Sequence, residues 1–83
     1  MSSDTAARVK KVTAKLLKVD ESSVKESSRF VEDLGAASIQ SIELVAAFEE
    51  EFDIEMDQDE ALGVKTVGDA VAYIAKVVKE QHG

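Results

Sequence analysis

The chain has no cysteine, no proline and no tryptophan, and only one histidine, four glycines and four other aromatic residues. Without cysteine there is no disulfide, no thiolate nucleophile and no cysteine-ligated zinc. The single histidine, His82, lies beside the C-terminus, where chains fray. A serine nucleophile therefore has no imidazole to activate it. Four scattered glycines form no glycine-rich phosphate loop. The absence of proline leaves long helices unbroken. No apolar run approaches the ~20 residues that span a bilayer. The opening MSSDTAARVKK lacks the apolar core of a secretion signal. A soluble, cytoplasmic protein with no membrane partner is expected.

Lysine and arginine are missing from Phe30 to Val64, a stretch that holds 11 acidic residues; the remainder carries 10 basic and 6 acidic residues, and the net charge is −7. Nucleic acid would be repelled by such a surface. Partners with basic patches suit it. An 83-residue chain has room for one core, so a single domain over 1–83 is expected.

Helical periodicity dominates what is present. A first helix is expected from about Asp4 to Leu17, capped by Ser3 or Asp4, with Val9, Val12, Leu16 and Leu17 as its apolar stripe. A long connection, about Val19 to Ala37, carries apolar pins at Val24, Phe30, Val31 and Leu34, so it should wrap over the core. A second helix is expected from Ser38 to Phe52. Leu44, Val45, Phe48 and Phe52 share one face, and Ile39, Ile42 and Ala46 widen the apolar arc beyond what one packed stripe needs. Either this helix is central or part of its rim near Ser38 is exposed. DIEMDQDEALG alternates like a strand, then makes a short helical turn ending at Gly63. A last helix starts at Thr66, with Asp69 completing a partial capping box. Val67, Ala70, Val71, Ile74, Val77 and Val78 form its stripe. The predicted fold is all-α: a small bundle of three main helices and one short one.

Two kinds of site fail on their own residues. An EF-hand loop read from Asp53 needs glycine at its sixth position and glutamate at its twelfth; Gln58 and Val64 stand there. The many carboxylates face solvent in this pattern and lack the burial that tunes an acid–base pair. Autonomous catalysis is not expected, and no metal site is assigned, although loose divalent binding would relieve the acidic self-repulsion.

Ser38 remains. It stands after Gly35, Ala36 and Ala37 and opens an acidic helix. As a bland reading it is a helix N-cap. As a functional one it is a modification site: small neighbours let an enzyme approach, and a helix start receives phosphate well.

FVEDLGAASIQSIELVAAFEEEFDIEM resembles the signature region of acyl carrier proteins, in which Asp-Leu-Gly, two residues and a serine lead into an acidic helix. RVKKVTAKLL and TVGDAVAYI resemble that family's first and last helices, so the likeness covers nearly the whole chain. The resemblance implies a right-handed four-helix carrier with 4′-phosphopantetheine attached covalently by a separate phosphopantetheinyl transferase, serving fatty-acid, lipid or polyketide-type biosynthesis. It implies that Ser38, favoured over Ser41 by its spacing from Gly35, is the attachment site. It further implies that Ile39, Glu43, Glu49 and Glu50 contact acyl-transfer and synthase-type partner enzymes. The interior near Phe48, Ala70 and Ile74 would shelter the acyl chain, and a monomer is the expected state. The alternatives are an aminoacyl or peptidyl carrier on the same fold, and an unmodified acidic helical interaction module. Two positions depart from the family pattern: Ala37 stands where aspartate usually precedes the serine, and Gln40 where another acid is common. These departures imply a specialised carrier for a dedicated pathway.

Overall fold

The computed structural model describes residues 2–83, with side chains from Asp4 onward. Four helices follow in order: α1 (Ser2–Leu17), α2 (Ser38–Phe52), α3 (Gln58–Leu62) and α4 (Val67–His82). No strand occurs among the described residues. α1 packs against both α2 and α4, and α3 packs on α2.

The bounds of α2 are those its periodicity predicts. α1 begins earlier than expected, so Ser3 and Asp4 sit inside its first turn rather than ahead of it; the position that would cap it, Met1, lies outside the described residues. Thr66 caps α4 as expected, its Oγ1 accepting from the Asp69 N–H at 3.1 Å. Asp57 caps α3 the same way, accepting from the Glu60 N–H at 3.1 Å. Gly63 ends α3 with right-handed φ of −78°, so its glycine freedom is not what stops the helix. The alternation in Ile54–Met56 is one of burial only: Ile54 is buried, Met56 half-buried and Glu55 exposed. The segment pairs with no strand. Instead, the Gln81 side chain of α4 bonds both the N–H and the carbonyl of Glu55, at 2.9 and 2.7 Å.

The core draws on all three long helices. Val9 and Ala14 of α1, Leu44, Phe48 and Phe52 of α2, and Val67, Ala70, Val71, Ile74 and Val77 of α4 are buried. Val12, Leu16, Leu17 and Val78 are only half-buried. One polar residue joins the core: Thr13 is 0% exposed and its hydroxyl has no hydrogen-bond partner. Arg8 is spent across the α1–α2 seam. Its Nε donates to Glu51 at 2.8 Å and its guanidinium lies 4.4 Å from the centre of the Phe52 ring.

The long connection wraps the core, with Val24, Phe30 and Ala36 buried and Leu34 half-buried. Val31, expected as a pin, is instead 60% exposed. The reason is a tight turn. Asp33 and Leu34 donate to the Arg29 carbonyl, Ala36 donates to that of Phe30, and Gly35 closes the turn at a φ of 73° open to glycine. This geometry aims Phe30 inward and its neighbour outward. Asp33 holds the turn from the side. It accepts the Arg29 N–H at 2.8 Å and Arg29 Nε at 3.2 Å, which keeps its carboxyl below the usual carboxylate range. The connection is then stitched to the start of α4: Phe30 donates to Lys65, Val67 to Ser28 and Gly68 to Glu26. A β-carbon on Gly68 would meet the Glu26 carbonyl oxygen at 3.0 Å, so glycine here permits the loop's close approach.

Candidate functional site

Ser38 is the first residue of α2 and is exposed. It is not the N-cap. That position belongs to Ala37, whose backbone is extended (φ −78°, ψ 165°). Alanine has no side-chain acceptor, so only half of a capping box exists. Gln40 Oε1 accepts from the Ala37 N–H at 2.9 Å. The helix starts without using the Ser38 hydroxyl. The N–H groups of Ser38, Ile39 and Gln40 fall in the first turn, where no carbonyl four residues back can accept from them. They point out of the helix at its positive end.

Ser41, one turn on, is half-buried, and its Oγ donates back to the Ala37 carbonyl at 3.4 Å. The lone imidazole is no help to either serine. His82 Nε2 bonds the carbonyl of Asp53, the C-cap of α2. A 15-residue helix is about 22 Å long, and Ser38 is at its other end. Among the described residues no group of three or more His, Asp or Glu is placed to hold a metal ion.

The rim near Ser38 is exposed, which resolves the width of the α2 apolar arc. Ile39 is 66% exposed and Ile42 46%. Ala46, on the same stripe, is exposed too. The first turn of α2 carries no acid. Glu43 and Glu50 project to solvent. Glu49 is half-buried, and its Oε2 accepts from the Met56 N–H at 2.8 Å. It ties α2 to the approach to α3. Of the three glutamates singled out in the sequence, two are free on the surface and one is built into the fold.

Behind this rim lies a cavity of about 250 Å³. The cavity lies between α2 and α4. Ser41, Leu44, Val45 and Phe48 line it from α2, and Ala70, Tyr73 and Ile74 from α4. Ala61 and Leu62 of α3, Phe30, Val31 and Glu32 of the connection, and Met56, Val64 and Lys65 complete it. Phe48, Ala70 and Ile74 are the three interior residues expected there. Tyr73 and Met56 were not singled out in the sequence and Ser41 only as a rival to Ser38, although Tyr73 follows Ala70 by three residues, the spacing that puts both on one face. Burial pushes the Tyr73 phenol up from its ordinary range, and its hydrogen bond to Glu60 adds to the shift.

The phosphopantetheine attachment site family matches residues 7–74. The chain belongs to that family. Domains of this family carry 4′-phosphopantetheine covalently. They are not themselves catalytic and meet phosphopantetheinyl transferases and synthase-type enzymes. The structure fits the group: it offers an exposed hydroxyl on the first residue of α2, beside helix-end N–H groups suited to a phosphodiester. A phosphopantetheine group held there would supply the thiol that this sequence lacks. No helix among the described residues is long and apolar enough to cross a membrane.

Proposed function

We propose that this phosphopantetheine carrier is an acyl carrier, with Ser38 as its attachment site, serving fatty-acid, lipid or polyketide-type biosynthesis. The observation that carries the reading is the pairing of an exposed, uncommitted Ser38 with an apolar cavity behind the same helix. The Ser38 oxygen bonds to the pantetheine-bearing phosphorus of coenzyme A, the bond from that phosphorus to the bridging oxygen breaks, and adenosine 3′,5′-diphosphate leaves. The hydroxyl proton passes to the transferase, since His82 is held at the far end of α2. Ser41 is the weaker candidate, since its hydroxyl is turned back onto the Ala37 carbonyl. The apolar lining favours an alkyl tail over an aminoacyl group.

Ile39, Glu43 and Glu50 form the outward surface that a partner would meet, with Glu49 fixing the helix beneath them. Gln40 does the work of a capping side chain without charge. Along α2, a partner docking at Ser38 therefore meets exposed Ile39 and Ile42 first and carboxylates only from Glu43 onward. That supports a specialised carrier whose enzymes present an apolar contact beside their basic patch. Intact mass after incubation with coenzyme A and a broad-specificity transferase tests the assignment. One pantetheinyl adduct is expected, kept in Ser41→Ala and lost in Ser38→Ala. An adduct that persists in Ser38→Ala, or none on the parent chain, refutes it.

A further inference from the structure

The cavity behind α2 has a neighbour. A second groove of about 180 Å³ opens farther along α4, bordered by Glu55, Asp57, Glu60, Lys76 and Glu80. Tyr73 lines both spaces. Its body is half-buried, and its hydroxyl donates to Glu60 Oε1 on α3 at 3.2 Å. Glu60 is itself placed by the Asp57 cap of that short helix. The ring is thus held at both ends, by packing on α4 and by a polar contact to α3.

Resting on the acyl-carrier reading, we propose that Tyr73 is the end wall of the cavity and sets the longest acyl tail the domain can shelter. On the near side of the ring the lining is mainly apolar, with Leu44, Val45, Phe48 and Ile74 among it and Ser41, Glu32 and Lys65 as its polar members. On the far side four carboxylates border an open groove. A methylene that passed the ring would leave an apolar wall for a wet, charged one and lose the gain of burial. The space in front of the ring fixes the length. That space is about 250 Å³, and removing the ring joins it to the 180 Å³ of the groove, so the longest sheltered tail should lengthen when the ring is gone.

The test loads the full chain with straight saturated acyl-pantetheine groups of increasing length, checks each product by intact mass and measures its thermal midpoint. In the parent chain the midpoint should rise with length and then level off at a definite break. In Tyr73→Ala and in the milder Tyr73→Val the rise should continue for several carbons more. Tyr73→Phe keeps the ring and should level off where the parent does. Either shortened variant suffices if the other does not fold. The wall is refuted by an unchanged break in a folded Tyr73→Ala or Tyr73→Val, by a Tyr73→Phe break displaced as far as theirs, or by midpoints indifferent to length. Failure to load at all appears in the mass spectrum first. It overturns the acyl-carrier reading itself, and the wall with it, whereas loading without a moved break overturns the wall alone.

Discussion

Thr13→Val should make the protein more stable, against the usual sign of core substitutions. Thr13 is fully buried on α1, and its Oγ1 meets no donor or acceptor. A buried hydroxyl left unpaired costs about 1–3 kcal/mol. Valine has nearly the same shape, so replacing the hydroxyl with a methyl opens no cavity. It also changes helix propensity little, since the two residues rank together. The net expectation is a gain of about 1–2 kcal/mol. For a domain of this size each 1 kcal/mol moves the thermal midpoint by about 4–8 °C. Urea unfolding followed by circular dichroism should show a higher midpoint concentration with an unchanged slope. Thr13→Ser supplies the converse: it keeps the hydroxyl, deletes a buried methyl and should lose about 1 kcal/mol. If Thr13→Val is instead the destabilising change, the hydroxyl is bonding back to the carbonyl of Val9, four residues earlier, as threonines in helices can, and the core is satisfied after all.

Other outcomes follow from the same geometry. Ser38→Ala should leave stability within about 0.5 kcal/mol of the parent, because the hydroxyl caps nothing, while abolishing pantetheinylation; a loss of 1 kcal/mol or more in urea unfolding would restore Ser38 as a cap. Ala37→Asp supplies the missing acceptor at the α2 N-cap and should add about 0.5–2 kcal/mol, read by the same unfolding assay and contradicted by no change. Tyr73 is the chain's one tyrosine, so phenolate absorbance reports it directly. Its folded titration is displaced upward by burial and then by Glu60. Its contribution to stability is therefore complete below the unfolded value of ~10 and is lost as pH rises through the folded one. A folded midpoint at or below that of the urea-unfolded chain would contradict the burial. Tyr73→Phe should remove this alkaline component from the pH–stability profile.

Much of the architecture was legible one residue at a time. Local capping chemistry and a 3.6-residue period act within a few positions, so α2 could be bounded at Ser38 and Phe52 and the cap of α4 assigned to Thr66. The missing cysteine and the distant histidine told equally well that any thiol or activating base must come from elsewhere. What the period could not decide was coverage. It put Ile39 and Ile42 on the edge of an apolar arc, but whether another segment covers them is decided only in the folded chain, where both are exposed. It gave Glu49 and Glu50 the same character, yet only the path of the chain after Phe52 brings the Met56 N–H to Glu49 and leaves Glu50 in water. Val31 turned outward because backbone bonds around Arg29 aim Phe30 inward. Thr13 was drawn into the core because two helices close over it from different parts of the chain. The burial of Thr13 is set by contacts between segments far apart in sequence, and the outcomes at Val31 and Glu49 by the path a turn takes in space. A one-dimensional pattern records which face a residue occupies, and only the assembled bundle records what stands opposite.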